Sequence, residues 1–318
     1  MSDVSLEVCH DLDAAMLQRI LALVDLNTRV DGHSPIGEHK HAHLRVGAHD
    51  WSGVLAWRGA DLVGYAHAMW GRRPRLRLEV VVHPDVRGDG EVARRLIDAA
   101  RDVLAAKGGG ELWLWVHHVA DPHDTLAWRM GFAVQRELSF MTRDLHEPPE
   151  VAPASDGIEV RAYHPDTDDH ELLRVNNAAF PDHPENGSWD RDDLAGKRAL
   201  DWFDPDDLLV AWRGDTALGF DWTKWHGHDA DDVPAHEPVG EVYVLAVHPD
   251  AQGTGLGRHL LGRGLAHLYA RGCRVAILYV DRAATGAVAL YERAGFSTAH
   301  SEVCYSAEVA SAPAGSSL

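Results

Sequence analysis

Hydrophobic and polar positions follow the same order of patterns in the two halves of this chain. Each half opens with helical periodicity, continues with two strand-like stretches typical of a hairpin, and then alternates strand, amphipathic helix and strand. A short helix ends each half at a Gly-Phe pair. The predicted ranges are 14–24, 54–57, 62–69, 78–82, 91–107 and 112–116 in the first half, and 170–179, 208–212, 217–223, 242–247, 256–271 and 275–280 in the second.

The order of these elements indicates the fold class. Strands joined by short turns pair antiparallel, whereas a strand–helix–strand crossover pairs parallel. We therefore predict an α/β (α+β) fold in which each half is a mixed, mostly antiparallel central sheet flanked by helices.

Short sequences recur in the same order in both halves, which indicates a duplication. The matches are Ala56–Gly59 with Ala211–Gly214, Val82–Asp85 with Val247–Asp250, and Gly131-Phe132 with Gly295-Phe296. Between the copies, residues 146–156 contain three prolines and are typical of an extended linker. We expect an N-terminal domain over 1–145, this linker, and a C-terminal domain over 157–318 whose tail is frayed from about Ala307.

Composition narrows the classes of partner. The 318 residues include 49 acidic and 30 basic side chains, a formal charge of -19, which disfavours nucleic acid. The sequence has no apolar run long enough to cross a bilayer, and no basic and apolar leader. Its three scattered cysteines indicate a reducing compartment. We expect a cytoplasmic protein, monomeric, with a small-molecule acceptor.

The sharpest motif follows the strand predicted over 242–247. Gln252-x-x-Gly255-x-Gly257 opens the next helix, and glycines let the backbone approach a ligand while free N–H groups and the helix dipole favour a diphosphate. Taken alone, such a turn is as often a tight connection and nothing more. The order strand, glycine loop, helix, strand and Tyr-x-x-x-Gly-Phe favours the diphosphate site.

Three segments together resemble the GNAT acetyltransferase superfamily: Val244–Val247, the Gln252-x-x-Gly255-x-Gly257 loop and Tyr291-x-x-x-Gly295-Phe296. The resemblance implies acetyl-CoA as co-substrate, with its diphosphate on the loop and its pantetheine along the strand. The residues implied to bind it are Leu245, Ala246, Val247, Gln252, Gly253, Thr254, Gly255, Leu256, Gly257, Arg258, Ala284 and Thr285, with Val80, Val81 and Val82 in the first copy.

A closer resemblance covers most of the second half. Leu173–Phe180, His183–Glu185, Trp202–Pro205, Gly219–Lys224 and Gly240–Leu245 resemble the mycothiol synthases, a tandem-domain branch of the superfamily. In the first half the likeness is thinner, chiefly Asp31-Gly32 and Pro35–Glu38. The resemblance implies that the acceptor is the cysteinyl amine of Cys-GlcN-Ins. The implied substrate-binding residues are Glu38, Glu185, Lys224, Glu241 and Tyr279.

Acetyl transfer needs a neutral amine to attack the thioester and a proton for the departing thiolate. Glu241 begins the strand that ends beside the thioester, so its carboxylate is the candidate base, acting through water. The phenol of Tyr291 is the candidate acid. The alternatives are a surface glutamate at a strand end and a core tyrosine beside Phe296. Backbone N–H groups near Leu245 to Val247 are expected to hold the oxyanion.

The first copy lacks these proton-handling groups. At the spacing of the nearest repeated segments, Glu241 corresponds to Leu76 and Tyr291 to Ala127. Its loop carries two carboxylates, Asp89 and Glu91, where a diphosphate is expected, and like charge disfavours binding. We expect the first copy to be non-catalytic, while the family resemblance leaves acetyl-CoA binding by it open.

The spacing of the repeated segments also locates an insertion. The number of residues that separates a segment of the first copy from its match in the second is larger after the predicted hairpin than before it. The second copy therefore has extra residues within 222–240, a polar stretch that contains Lys224. A longer loop beside the cleft is suited to acceptor recognition, and a solvated loop is the alternative. After the strand at 275–280, Ala284 stands where the family usually has Asn, which leaves Thr285 or water to help hold pantetheine.

Other chemistry is less well supported. The 22 histidines have no Cys partners nearby and no His-Glu-x-x-His pattern, so we expect no metal. Cys273 lacks an evident His base and is not expected to be a nucleophile. Two further hypotheses stay open: acetylation of another small amine or a protein N-terminus, and a non-catalytic acetyl-CoA-binding module, which Glu241 and Tyr291 disfavour.

Overall fold

The computed structural model describes residues 4–37, 44, 51–71, 75–181, 183, 186–226 and 238–312. The chain forms two compact units, one made of residues 1–138 with 300–318 and the other of residues 139–299. Each unit contains a mixed sheet with helices, as the sequence predicts.

The first unit is built on strands that neighbour one another across a sheet. Their order is β1 (Val4–Cys9), β2 (Trp51–Arg58), β3 (Asp61–Trp70), β4 (Arg75–Val82), β5 (Gly110–Val119) and β12 (Ser297–Val309). β4 and β5 pair parallel, and the other neighbouring pairs are antiparallel. The helices are α1 (Ala14–Asp31), α2 (Glu91–Ala106) and α3 (Leu126–Arg129).

The second unit repeats this order. Its strands are β6 (Ala133–Asp144, of which 139–144 belong here), β11 (Val275–Asp281), β10 (Val239–Val247), β9 (Thr216–Trp225), β8 (Leu208–Arg213) and β7 (Glu159–Ala162). β10 and β11 pair parallel, whereas β10, β9, β8 and β7 pair antiparallel in turn. The helices are α4 (Asp169–Ala179), α5 (Arg191–Arg198), α6 (Leu256–Ala270) and α7 (Thr285–Arg293).

The compact units divide the chain differently from the bounds 1–145, 146–156 and 157–318. Most of β12, which ends the second copy, belongs to the first unit, where it pairs with β5. Residues 139–144 of β6, which ends the first copy, belong to the second unit. The predicted elements of each copy end at its Gly-Phe pair, and the strand that follows each pair was not predicted. The prediction that the tail is frayed from about Ala307 was also wrong, because β12 continues to Val309 and pairs there with β5.

Both faces of the second sheet are covered. On one face Phe220, Trp222, Val244 and Ala246 form a core cluster with residues of α4 and α5. On the other face Leu260, Leu261, Leu265 and Leu268 of α6 pack against strand residues. Side chains alternate between faces along a strand, which places neighbours of β10 in different cores. Each fully buried large apolar side chain contributes roughly 1.5–3 kcal/mol of stability.

Candidate active site

The sheet of the second unit opens between β10 and β11. The two parallel strands pair only over Val239–Glu241 and Val275–Ile277, although β10 continues to Val247. On its other edge β10 stays paired with β9 as far as Val247. The register against β9 shifts between Val242 and Val244, so Tyr243 is the extra residue of a β-bulge. A bulge bends its strand, and here it stands where the two parallel strands part.

Backbone groups of Leu245 and Val247 point into this opening. The N–H of His248 donates to the carbonyl of Leu218 on the β9 side, and backbone groups of successive strand residues point to opposite sides. Leu245 and Val247 therefore face the opening, where β11 offers no ladder partner in the described residues. The Val247 carbonyl accepts a hydrogen bond from Gln252 Nε2 at 3.2 Å. The Leu245 N–H also faces the opening.

The glycine loop ends in a helix start that has no side-chain cap. Gly255 is the N-cap of α6, with φ of 85° in the left-handed region that only glycine adopts without strain. Thr254 Oγ1 donates instead to the carbonyl of Ala251 at 2.7 Å, so it does not cover the first N–H groups of the helix. The N–H groups of Leu256, Gly257 and Arg258 begin a helix of 15 residues. Such a helix start suits a diphosphate.

Glu241 lies on β10 just before the opening and is 8% exposed. Its Oε2 is 2.8 Å from Nε2 of His226, the residue that follows β9. Lys224 stands directly opposite Glu241 in the β9–β10 register, on the same face of the sheet. Its ammonium lies 4.8 Å from the ring centroid of Trp202. A carboxylate, an imidazole and an ammonium thus meet at one end of the opening, and the sequence alone did not indicate that His226 pairs with Glu241.

Tyr291 lies on α7 and belongs to the core on the opposite face from Glu241. It is 8% exposed, and its ring contacts Phe296 with centroids 5.9 Å apart. Burial raises the pKa of the phenol, and the nearby carboxyl of Asp221 raises it further. The phenol is therefore a protonated donor at neutral pH, which is the form a general acid needs.

Glu38, Glu185 and Tyr279 are the other residues that the sequence predicts to bind the acceptor. Glu38 and Glu185 lie outside the described residues, as does 227–237 of the insertion. Tyr279 is 45% exposed on β11, with its ring 5.0 Å from that of Phe140. It shares a face with Ile277, which stands beside Glu241 in the ladder. Ala284 is the N-cap of α7 without a side-chain hydrogen bond, and both it and Thr285 are exposed.

The structure corrects one equivalence between the copies. Glu241 stands opposite Lys224 and beside Ile277, and the matching neighbours in the first unit, Met69 and Trp113, flank Arg77. The equivalent of Glu241 is therefore Arg77 and not Leu76, because the bulge residue in β10 has no counterpart in the regular β3–β4 ladder. The first unit has a cation at this position.

In the first unit, a side chain of the glycine loop itself hydrogen-bonds to the start of the helix. Gly90 caps α2 with φ of 72°, as Gly255 caps α6. Here, however, Asp89 Oδ1 accepts from the N–H of Glu91 at 3.0 Å, so a carboxylate holds part of the helix start. Arg87 is held in a bidentate ion pair with Asp31, both contacts being 2.6 Å. Charge and geometry both disfavour a diphosphate at this loop.

The opening between β4 and β5 nevertheless remains. A cavity of about 240 Å³ is lined by Val80, Val81 and Val82 with residues of β5, α2 and α3. At its polar end His117 lies between Glu302 and Glu79, at 2.5 and 3.3 Å. Burial alone would lower the pKa of His117, but the two carboxylates outweigh it and raise it to about 10. This end of the cavity holds an imidazolium and two carboxylates.

The described residues show no group of three or more His, Cys, Asp or Glu side chains arranged to hold a metal ion. Within the same part of the chain, every helix is too short or too polar to cross a membrane.

A parallel strand pair opens beside a glycine-capped helix, which is the arrangement that the sequence resemblance to GNAT acetyltransferases predicts. The family model described as Acetyltransferase (GNAT) family matches residues 171–296. A GCN5-related N-acetyltransferase from Sphaerobacter thermophilus superposes with a TM-score of 0.71 at 22% identity, over 97% of both chains. A tandem GNAT protein from the clavulanic acid biosynthesis pathway gives 0.72 at 16% identity, over 98% of this chain and all of that one. These two likenesses show the fold.

Curated relatives narrow the class. The mycothiol acetyltransferase of Acidothermus cellulolyticus is 39% identical over 307 residues, 93% of this chain and 92% of the relative. That of Nocardia farcinica is 40% identical over 315 residues, 96% and 99% of the two chains. The chain belongs to the mycothiol acetyltransferase family.

Proposed function

We propose that the second unit transfers the acetyl group of acetyl-CoA to the cysteinyl amine of Cys-GlcN-Ins, giving mycothiol and CoA. The observation that carries this proposal is the pairing of an uncapped glycine loop with a buried carboxylate at the other end of one strand, in a chain that matches mycothiol acetyltransferases over nearly its full length.

The strand opening supplies the binding geometry. Diphosphate oxygens accept from N–H groups at the start of α6, where the helix dipole favours negative charge. The pantetheine amides lie along β10 and use the backbone groups of Leu245 and Val247 that face the opening. The thioester carbonyl then meets the N–H of Leu245, which stabilises the negative charge that develops on its oxygen.

The two proton-handling groups stand on opposite faces of the sheet, and the opening joins them. Glu241 takes a proton from the attacking amine, directly or through water. His226 holds Oε2 of this carboxylate, and we propose that Oε1 is the atom that takes the proton. On the other face Tyr291 gives its phenolic proton to the CoA sulfur as the C–S bond breaks. The proton of the attacking amine and the proton for the departing thiolate are thus transferred on opposite faces of the sheet.

The acceptor subsite lies around Lys224 and Trp202 on the Glu241 face. A cation beside the attacking nitrogen disfavours the ammonium form of the acceptor and so favours the reactive neutral amine. Exposed Tyr279 offers an aromatic surface on the same face, and Glu38 and Glu185 complete the proposed contacts. We propose that the protein works in the cytoplasm as a monomer without a metal.

Acceptor identity is tested with purified protein, acetyl-CoA and Cys-GlcN-Ins. We expect one CoA released per amine acetylated, measured by thiol titration and mass spectrometry, and no comparable rate with simple amines or with peptides bearing free N-termini. Efficient acetylation of an unrelated amine while Cys-GlcN-Ins is ignored would contradict the acceptor and leave the acetyl-CoA chemistry standing.

Replacement of Tyr291 by Phe tests the acid. The variant should lose about 10²-fold or more in turnover with acetyl-CoA, because the thiolate must leave unprotonated. The loss should shrink with acyl donors whose thiolates leave more easily, since these need less protonation in the transition state. A rate loss that is the same for good and poor leaving groups would remove Tyr291 from the proton path.

A further inference from the structure

Two tyrosines stand beside the opening on the Glu241 face of the sheet. Glu241 and Ile277 form the last pair of the β10–β11 ladder before the strands part. Side chains alternate between faces along a strand, so Tyr279 is the next residue of β11 on the face of Ile277 and Glu241. Beyond Glu241 on β10, the ring of Tyr243 packs in the core cluster on that same face. Each strand therefore presents a tyrosine on the Glu241 face directly beyond the last pair.

The bulge turns Tyr243 to this face. In a regular strand Tyr243 and Val244 would point to opposite faces, yet both pack in the cluster on the Glu241 face, because Tyr243 is the extra residue at the register shift. The first unit has a regular β3–β4 ladder at the same place. Beyond Arg77, the equivalent of Glu241, its next side chain on that face is Glu79, a carboxyl group that is 3% exposed. Of the two units, only the second carries a tyrosine at this position of the strand.

A second aromatic ring packs against each tyrosine. The ring centroids of Tyr243 and Trp202 are 5.0 Å apart, with an interplanar angle of 73°. Those of Tyr279 and Phe140 are also 5.0 Å apart, at 55°. In addition, Nζ of Lys197 donates to the phenol oxygen of Tyr243 at 3.3 Å. Tilted and edge-to-face contacts are favourable between aromatic rings, so these two aromatic pairs hold one aromatic surface on each side of the opening.

Tyr243 lies between the groups that the proposed reaction requires. Glu241 is the proposed base, and the N–H of Leu245 is the proposed partner of the thioester oxygen. Four residues of a strand span on the order of 10 Å, so an amine that attacks the thioester and gives its proton to Glu241 lies next to Tyr243. The remainder of the acceptor is attached to this amine and therefore extends past the two aromatic pairs.

The side chains around the opening suit a polyhydroxylated ring. The faces of a sugar or cyclitol ring carry C–H groups, which pack against the electron-rich faces of aromatic rings. Its edge carries hydroxyl groups, which accept hydrogen bonds from ammonium groups. The ammonium of Lys197 binds Tyr243, and that of Lys224 lies 4.8 Å from the ring centroid of Trp202. A wholly apolar acceptor would make no use of either ammonium group.

We propose that the two aromatic pairs bind the sugar ring of the acceptor and that Tyr243 is a specificity-determining residue of this subsite, an inference that rests on the function proposed above. The sugar ring lies between the rings of Tyr243 and Tyr279, and Lys197 fixes the phenol of Tyr243 in place. Cys-GlcN-Ins is then distinguished from amines without a sugar by contacts that do not involve the reacting groups.

The test compares two acceptors that carry the same cysteinyl amine and amide, Cys-GlcN-Ins and cysteine ethylamide, which has no ring. In Tyr243→Leu we expect kcat/KM with Cys-GlcN-Ins to fall on the order of tenfold or more, mostly through KM, because a contact to the sugar is lost while the proton-handling groups remain. The loss with cysteine ethylamide should be several times smaller. Tyr243→Phe keeps the ring and should lose less than Tyr243→Leu. Equal losses with both acceptors, or equal losses in the two variants, would overturn the proposal.

Phe203→Leu is the matched control. Phe203 and Tyr243 both contact the ring of Trp222, with centroids 5.7 and 5.4 Å away, so each substitution removes one aromatic ring from the same cluster. Phe203→Leu should lower the melting temperature to a similar extent but leave the ratio of kcat/KM for the two acceptors at the parental value. Phe140→Leu, on the other side of the opening, should lower this ratio as Tyr243→Leu does. A ratio that fell equally in Phe203→Leu would assign the effect to lost packing and overturn the sugar contact.

Binding without reaction separates this subsite from the proposed function. GlcN-Ins is the acceptor without its cysteinyl group, so it lacks the amine that is proposed to react. Saturation-transfer NMR should show the strongest signals on its ring C–H protons, weaker signals with Tyr243→Leu, and parental signals with Phe203→Leu. If the parent bound GlcN-Ins in this way but did not acetylate Cys-GlcN-Ins, the sugar subsite would stand and the proposed reaction would fail. Absence of Tyr243-dependent binding would overturn the sugar subsite even if Cys-GlcN-Ins were acetylated.

Discussion

Gly255→Glu should reduce turnover by about 10³-fold or more, whereas Gly90→Glu should leave the rate of the chemical step near that of the parent. Both glycines cap a helix with φ in the left-handed region, 85° and 72°, so the backbone strain of adding a side chain is matched. The difference lies in what each helix start holds. At Gly255 the new carboxylate would stand at the helix start that we propose binds the diphosphate, whereas at Gly90 the helix start already holds Asp89.

Binding and rate are measured separately for this pair. Calorimetric titration with CoA should show the loss of binding in Gly255→Glu, and circular dichroism should show that both variants are folded. Gly255→Ala adds the strain without the charge and should fall between the parent and Gly255→Glu. Equal loss of turnover from Gly90→Glu and Gly255→Glu, with folding intact, would show that the first unit takes part in the reaction.

The repeated elements were predictable because each has a local signal. Hydrophobic periodicity marks α6 and β10, and the duplication shows them twice, so the fold class follows from the sequence. The strands β6 and β12 lack such a signal: along Ser297–Val309 the burial pattern mixes exposed, half-buried and buried positions. Their order comes from pairing with strands distant in sequence, such as β12 with β5, and single-sequence patterns do not report such pairing.

Part of the candidate site could also be predicted from the sequence, and part could not. The glycine loop was visible because its residue types and spacing are tied to a backbone geometry at one place in the chain. His226 was not visible as a partner of Glu241, because the two are 15 residues apart and only the β9–β10 register brings them to 2.8 Å. Because Tyr243 is an extra bulge residue, the residue of the first unit that is equivalent to Glu241 is Arg77 and not Leu76. A comparison of the two copies at a fixed residue offset cannot detect an extra residue that a β-bulge accommodates.

Asp221 shows a further limit of sequence patterns. The segment from Gly219 to Lys224 was noted for its resemblance, but an aspartate in an alternating strand is ordinarily expected on the solvent face. Its burial becomes evident only when Gly264 of α6 is seen to leave room for it. A glycine within a helix signals a close approach, but not which group approaches.

Glu241→Gln should leave acetyl-CoA binding intact and lower turnover by about 10²- to 10⁴-fold, because the amide keeps the size of the side chain but cannot take the amine's proton. Steady-state kinetics with Cys-GlcN-Ins across pH measure the loss. The rising limb of the parent's pH profile should shift or flatten in the variant, since the proposed base for the amine's proton is gone. Calorimetric titration with acetyl-CoA checks that the donor site is unchanged.

The first unit offers the matched control for this change. Arg77→Gln places the same amide at the equivalent ladder position of the other unit and should leave both rate and pH profile unchanged. His226→Ala should cost less than Glu241→Gln, because it removes the group that holds Oε2 and keeps the carboxylate itself. If Glu241→Gln kept the parental rate and rising limb, the acceptor would have to bind as the neutral amine or lose its proton elsewhere, and Glu185 would be the next carboxylate to replace.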